Sequence, residues 1–216
     1  MSKLFFAIGL SLLICSTAAA SDQKVVEDLL RDRLDAVLAV LQNEDLDLES
    51  KKARISELVT PLFDFALMAK LTLGKKYWPE FTEAQQARFT ELFIKLLKQT
   101  YLERVSMYSD ERVVFSGNVQ NGNKVHISTE LVSKDSTIGV LYKFYKSTET
   151  WRIYDIEIEG VSLITTYRTQ FDEALRSVAS YDPDGFDVRY IRDDVDELYD
   201  DGDYERAFRT HRLEAM

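Results

Sequence analysis

The segment "WRIYDIEIEGVSLITTYRTQF", residues 151–171, contains the change from strand to helix that decides the fold. Apolar and polar side chains alternate as far as Gly160, which is the pattern of a half-buried strand, and a polar segment with two aromatic residues follows. Three carboxylates, Asp155, Glu157 and Glu159, lie two residues apart and therefore share one face of the strand. Such a row is typical of a solvated surface, so we predict that this face is exposed and that the opposite face is apolar.

The same two-residue period is present between Glu111 and Trp151. The segments "RVVFSGNV" and "KVHISTELV" flank Asn121-Gly122, a dipeptide that favours a tight hairpin turn, and "TIGVLYKFY" and "WRIYDIEIEG" follow at regular spacing. Short polar turns separate these segments. The pattern therefore predicts four consecutive strands in an antiparallel meander, with one strongly apolar face.

Apolar residues at helical spacing precede the strands. They predict helices over residues 22–41, 47–61, 62–74 and 83–108, and Thr82 with Gln85 forms a capping box before the last of these helices. A closing helix is predicted over residues 165–177. Helices first and strands afterwards indicate an α+β fold, in which the N-terminal helices pack on the four-stranded antiparallel meander.

The first twenty residues have the layout of a secretory signal peptide. Lys3 precedes an apolar run over residues 4–14, and small residues lead to an Ala-x-Ala site, so cleavage is expected after Ala20. Ile14 disfavours a lipoprotein, because a lipidated Cys15 would need a small residue before it. The compact signal is typical of bacteria, and we predict that the mature protein is in the periplasm.

Removal of this signal changes both the cysteine content and the charge. The chain's single cysteine is lost, so no disulfide can form in an oxidising compartment. The signal contains one base and no acid, and the net charge therefore changes from −10 to −11. Because nucleic acids and anionic lipid surfaces repel such a chain, we predict neither nucleic-acid binding nor permanent membrane insertion.

The C-terminal residues are the most acidic part of the chain. Residues 178–216 contain twelve acids and five arginines. We therefore divide the chain into a signal peptide (1–20), one domain (21–177) and an acidic C-terminal extension (178–216). The extension is either a solvated tail that folds weakly onto the domain or a docking element for a partner.

Residues that could support catalysis are few. Only His126 and His211 remain after the signal, neither has metal-ligand spacing, and Ser162 does not lie in a G-x-S-x-G motif. We therefore predict a protein that is not an enzyme and has no metal site and no cofactor. Two alternatives stay open: a small hydrolase that uses an acidic pair, and a solid-cored interaction module of similar fold.

Several motifs, in the same order along the chain, resemble the MlaC family of periplasmic phospholipid-binding proteins, also called toluene-tolerance auxiliary transport proteins. They are Phe63-Asp64-Phe65, Leu73-Gly74, the helix from Phe89 to Tyr101, and the stretch from Tyr154 to Phe171. Trp78 stands one residue further from Gly74 than in the family pattern, and the acidic extension does not resemble the usual family ending.

This resemblance implies a monomeric carrier that holds phospholipid as cargo in an apolar cavity between the sheet and the helices. It also implies two partners, an inner-membrane ABC transporter with an MCE-domain protein and an outer-membrane lipoprotein–porin complex. Lipid would thus move between the two membranes in a system that maintains outer-membrane lipid asymmetry.

The cavity lining that we predict combines side chains of the apolar sheet face with side chains of the covering elements. The sheet residues are Ile127, Leu131, Val140, Tyr142, Tyr154, Ile156 and Ile158. The covering residues are Phe65, Met68, Leu71, Trp78, Phe93 and Val161. Lys75 and Lys76 are predicted to meet the phosphate of the head group.

Overall fold

A computed structural model describes residues 21–105, 111–134, 136–148 and 150–181. Its helices are α1 (Asp22–Leu41), α2 (Leu48–Val59), α3 (Phe65–Tyr77), α4 (Glu83–Val105) and α5 (Leu163–Tyr181). Its strands are β1 (Arg112–Asn121), β2 (Lys124–Val132), β3 (Thr137–Lys146), β4 (Trp151–Ile158) and β5 (Val161–Ser162). The predicted signal peptide, the predicted helix end near Tyr108 and residues 182–216 of the acidic extension lie outside the described residues.

The strands form one antiparallel sheet in the order β1-β2-β3-β4-β5. The predicted α+β meander is confirmed, but the predicted number of strands is too low by one. Glu159 and Gly160 both have positive φ, 51° and 78°, and they turn the chain so that β5 pairs with the end of β4. A strand of two residues has no period that a sequence pattern could reveal.

The helices begin where capping side chains stand. Ser21 accepts a hydrogen bond from the backbone N–H of Lys24 at 3.3 Å, and Asp47 accepts one from Ser50 at 2.7 Å. At the start of α4, the backbone N–H of Thr82 donates to Gln85 Oε1 at 2.8 Å. These caps satisfy N–H groups that have no partner inside a helix, and they confirm the predicted starts of α1, α2 and α4.

Gly74 interrupts α3 with φ 64° and ψ −167°, a conformation that is accessible mainly to glycine. The first helical segment therefore ends at Gly74, as predicted, and a further helical turn follows as far as Tyr77. The interruption changes the direction of the chain before the 3-10 turn at Trp78–Glu80.

Strand β4 contains a bulge at Tyr154. Phe144 pairs with Ile153, whereas the preceding Lys143 pairs with Asp155, so Tyr154 has no partner of its own in β3. A bulge of this kind inserts one residue and shifts the alternation of the faces. The two halves of β4 are therefore out of phase with each other.

This shift corrects the predicted faces of β4. Trp151 and Ile153 are buried on the apolar face, whereas Arg152 and Tyr154 lie on the opposite, polar face. The Tyr154 hydroxyl is 3.2 Å from His126 Nε2, and His126 pairs with Lys143 on that polar face. The prediction that Tyr154 belongs to the apolar face is wrong, because strict alternation does not hold across a bulge.

Asp155 corrects a second prediction, because its side chain is buried and only 5% exposed. One carboxylate oxygen accepts hydrogen bonds from Lys143 Nζ at 3.0 Å and Ser162 Oγ at 2.8 Å. The other accepts from the backbone N–H of Ile164, in the first turn of α5, at 3.2 Å. The face is therefore not uniformly solvated: Asp155 joins the sheet to α5, and its neighbour Glu157 also binds Lys143.

The polar face also determines how two basic side chains titrate. Burial, with the nearby Lys143 ammonium, lowers the pKa of His126 below its ordinary value of 6.5. Burial alone would lower the pKa of Lys143, but hydrogen bonds to Glu157 and Asp155 outweigh it and raise this pKa. His126 is thus a polar sheet residue beside a permanent cation.

The core lies on the apolar face of the sheet and between the helices. Helix α1 packs along β1. Glu27 accepts a hydrogen bond from Asn118 at 2.8 Å, and the Arg31 guanidinium stacks on Phe115. Val26 and Leu30 of α1 are buried against the sheet. A second cluster joins α3, α4 and α5, and a third joins α1 and α2.

Replacing Asp155 by alanine should lower the free energy of unfolding by about 3 kcal/mol, because Lys143 loses one of its two carboxylates and the first turn of α5 loses its acceptor. Urea denaturation would measure this loss. Asp28→Ala is the control, since Asp28 forms an exposed pair with Lys24 and should change stability by less than about 0.5 kcal/mol. Equal effects of the two substitutions would show that Asp155 does not anchor α5.

Stability should fall as the pH is lowered through 6.5 toward the folded-state pKa of His126, because the unfolded chain then binds the proton more readily than the folded chain. The variant His126→Gln should show a shallower decline of unfolding free energy between about pH 7.5 and pH 5.5. An NMR titration of the ring should give a midpoint below 6.5. A wild-type midpoint above this value would contradict the assigned environment.

Candidate functional site

The apolar face of the sheet is covered unequally. At one end Val125, Phe144 and Ile153 have no more than 1% of their surface exposed, beneath α1 and the turn before α3. Towards the other end the apolar side chains keep part of their accessible surface. This open half of the apolar face consists of Val113, Phe115, Leu131, Ile138, Val140, Tyr142, Ile156 and Ile158.

The register of the strands makes this open half continuous. Val140 lies between Thr129 of β2 and Ile158 of β4, and the next row begins with Leu131 beside Ile138. Thr129 is buried there, and its hydroxyl donates to the backbone carbonyl of Val140 at 3.3 Å, so it presents no free polar group. Apolar side chains on four adjacent strands, β1 to β4, therefore form one surface that the helices only partly cover.

Tyr142 combines burial with residual exposure. Burial raises the pKa of its hydroxyl to about 12, because protein surrounds the side chain on most sides. The residue nevertheless retains accessible surface. The open half of the apolar face is therefore largely covered by protein at Tyr142 but not sealed from solvent.

The helical layer opposite the sheet is rich in aromatic side chains. Phe93 of α4 packs edge to face against Tyr167 of α5 with ring centroids 5.5 Å apart, and Phe171 contacts Phe89 at 5.2 Å. Burial raises the pKa of Tyr101 and of Tyr167 above their ordinary values. The helices α3, α4 and α5 thus share a dense apolar cluster.

The structure brings together five of the seven sheet residues predicted to line a cavity. Leu131, Val140, Tyr142, Ile156 and Ile158 all belong to the open half of the apolar face. Ile127 has no exposed surface in this conformation, and Tyr154 lies on the polar face. A lipid-binding role for any of them stays a prediction.

The predicted covering residues are more dispersed. Met68 and Phe93 are buried in the helical cluster, with at most 1% of their surface exposed, and Phe65 packs beside them. Val161 is 58% exposed beyond the end of β4. The roles predicted for these four residues also stay predictions.

Lys75 and Lys76 lie in a different place from the sheet residues. Together with Leu71 and Trp78 they line a surface groove of about 830 Å³ between the C-terminal end of α3 and α5. No strand residue lines this groove. The structure therefore does not bring the two lysines to the open half of the apolar face, and their head-group role stays a prediction.

Three residues of the open half were absent from the predicted lining: Val113, Phe115 and Ile138. Ile138 shares the alternation of Val140, so the pattern in "TIGVLYKFY" contained the signal. Phe115 is harder to assign, because β1 has its own irregularity between Phe115 and Gly117. Strict alternation from the hairpin would therefore place Phe115 on the wrong face.

Two further properties concern the described part of the chain. None of its helices is both long enough and apolar enough to cross a lipid bilayer. Its His, Cys, Asp and Glu side chains form no group of three that could hold a metal ion.

Comparison with known proteins gives both structural and sequence matches. The structure of a phospholipid-binding protein from Ralstonia solanacearum, solved in complex with a phospholipid, matches with a TM-score of 0.66 and 23% identity. The match covers 79% of this chain and 94% of that chain, and at this identity it shows the shared fold. Residues 161–216 match a domain of unknown function (DUF7522).

The other sequence match is to the MlaC protein family, over residues 31–185. It includes every described helix and strand, with α1 included in part. Because the match spans more than half of the sequence, the chain belongs to the MlaC family.

Proposed function

We propose that this protein binds a phospholipid, with the acyl chains lying on the open half of the apolar face beneath the helices. The observation that carries the proposal is the partly exposed apolar surface of four adjacent strands, where burial raises the pKa of Tyr142 to about 12. Membership of the MlaC family supports it, and so does the shared fold with a protein solved in complex with a phospholipid.

The energetics favour a hydrocarbon ligand on the open half of the apolar face. Each methylene group removed from water stabilises a complex by about 0.8 kcal/mol, so two acyl chains of about thirty methylenes cannot cross water unaided. The open half offers hydrocarbon and aromatic contacts, and its one buried polar side chain, Thr129, is already hydrogen-bonded. A bound acyl chain would therefore leave no polar group of that row without a partner.

We further propose that the protein is a monomeric periplasmic carrier, with phospholipid as cargo and no other cofactor. It would exchange phospholipid with two partners: an inner-membrane ABC transporter with an MCE-domain protein, and an outer-membrane lipoprotein–porin complex. A carrier gains little free energy over a bilayer, since both surround the acyl chains with hydrocarbon, and its partners must then determine when lipid is exchanged. The charge of −10 before signal cleavage becomes −11 afterwards and limits adhesion to anionic membranes between exchanges.

This proposal includes no catalytic step. The carboxylate of Asp155 already accepts hydrogen bonds from Lys143, Ser162 and the backbone of Ile164, and Glu157 is paired with the same lysine. A working acid pair needs a carboxyl group that is free to exchange a proton with a substrate, whereas both of these carboxylates are already bound to the same lysine. The geometry thus gives the acidic pair a structural role.

Two adjacent residues offer a matched test of the proposed lipid site. Val140 and Leu141 are neighbours in β3, each partly buried, and they point to the apolar and the polar face. Val140→Asp should reduce co-purified phospholipid by about tenfold, because it places a carboxylate among acyl chains, whereas Leu141→Asp should leave occupancy near that of the wild type. Native mass spectrometry of protein purified without added lipid would measure both.

The same experiment separates a hollow core from a filled one. Wild-type protein that shows only the bare polypeptide mass would favour a solid-cored interaction module and would contradict lipid binding. Equal loss of lipid in the two variants, at equal stability in urea denaturation, would place the acyl chains elsewhere than on the open half of the apolar face.

A further inference from the structure

The groove between α3 and α5 has an apolar floor and a cationic rim. Leu71, Leu73, Tyr77, Trp78 and Pro79 supply the apolar part. The charged residues around it are five cations and two acids: Lys70, Lys75, Lys76, Arg168, Arg176, Asp172 and Glu173. The groove therefore has an excess of three positive charges in a chain whose overall charge is −10.

The cations of this rim are only partly neutralised. Lys76 and Arg176 share Asp172, at 3.3 and 2.7 Å. The Arg168 guanidinium donates to the backbone carbonyl of Leu71 at 2.7 and 2.9 Å, which leaves its charge without a carboxylate. Lys70 and Lys75 are exposed and have no ion-pair partner among the residues that the structure describes.

The acidic extension has the complementary composition. Residues 182–216 contain twelve acids and five arginines, and residues 193–203, "DDVDELYDDGD", contain seven acids and no base. Val195, Leu198 and Tyr199 stand between these acids. The segment thus offers negative charge that complements the cationic rim and apolar side chains that can pack on the apolar floor.

The extension is also long enough to reach the groove. Helix α5 ends at Tyr181, and Arg168 lies thirteen residues earlier, which is about 20 Å along the helix. Residues 182–192 could span up to about 36 Å when extended. Because the two parts are covalently linked, their effective concentration is of the millimolar order, so even a weak contact would be occupied.

We propose that residues 193–203 of the acidic extension dock into the groove between α3 and α5. Docking neutralises the unpaired cations Lys70, Lys75 and Arg168 and covers the apolar side chain of Trp78. Any acidic partner that binds this groove must then displace the extension, which acts as an intramolecular competitor for the site. This inference does not depend on the proposed lipid function, because no strand residue of the lipid site lines the groove.

Disulfide trapping in the full chain tests the docking. In a background with Cys15→Ser, which removes the only cysteine, Thr169→Cys marks the groove and Val195→Cys marks the extension. The matched control pairs Val195→Cys with Val119→Cys, on an exposed residue of β1 outside the groove. The groove pair should form its intramolecular disulfide about tenfold faster than the control pair under mild oxidation.

High salt and charge-reversal substitutions test whether the docking of the extension is electrostatic. The rate advantage should fall several-fold in 1 M salt, where the Debye length is about 3 Å. It should also fall with Lys70→Glu plus Lys75→Glu, but not with Arg54→Glu plus Lys95→Glu, which reverse exposed cations outside the groove. Thermal unfolding by circular dichroism would verify that all variants are folded.

Three results would overturn the proposal. Equal disulfide rates for the groove and control pairs would show that the extension does not dock there. A disulfide-linked dimer as the main product would assign the occupant to a second copy of the chain. Loss of co-purified phospholipid in the Lys70→Glu plus Lys75→Glu variant, with no change in the disulfide rate, would assign the groove to a lipid phosphate.

Discussion

The arrangement of sheet and helices depends on the carboxylate of Asp155. This group is buried at the edge of the sheet, where it receives Lys143 from the neighbouring strand, Ser162 from the returning strand and the first turn of α5. Asp64 has a parallel role, since its side chain caps α3 and its backbone N–H donates to the carbonyl of Ile153 at 2.9 Å. Two aspartates thus fix two helices to one strand, so the motifs around them have a structural role in the fold.

The sequence was sufficient for elements whose signal is local. The Thr82–Gln85 capping box predicted the start of α4 because a cap acts within one turn, and Asn121-Gly122 predicted the first hairpin, whose turn residues are Gly122 and Asn123. It failed where a long-range contact decides the outcome. The bulge at Tyr154 makes Ile153 available to the turn before α3, and Asp155 is buried because α5 starts beside it. Neither contact leaves a periodic trace, so strict alternation placed Tyr154 on the wrong face and Asp155 in solvent.

In the candidate lipid site, too, the sequence predicted the residues with a local signal and missed those that depend on long-range packing. Alternation along β2, β3 and the end of β4 identified Leu131, Val140, Tyr142, Ile156 and Ile158, because side-chain direction in a regular strand is a local property. The helix residues were less predictable, since a filled core and a cavity wall require the same apolar side chains. Met68 and Phe93 are buried within the helical layer, whereas Lys75 and Lys76 lie at a separate groove. Composition does not encode which apolar surface remains uncovered; that depends on where α1 stops covering the sheet.

The attachment of α3 and α5 has a mechanical consequence. Both helices begin at β4 and run side by side away from it, as the contacts of Arg168 with Leu71 and of Asp172 with Lys76 show. With nineteen residues, α5 is about 28 Å long, so a rotation of about 5° around its anchored end displaces the other end by about 2 Å. The two helices are therefore anchored at the edge of the sheet and can pivot there as a pair. A displacement of the far ends of these helices is therefore compatible with intact contacts at both aspartates.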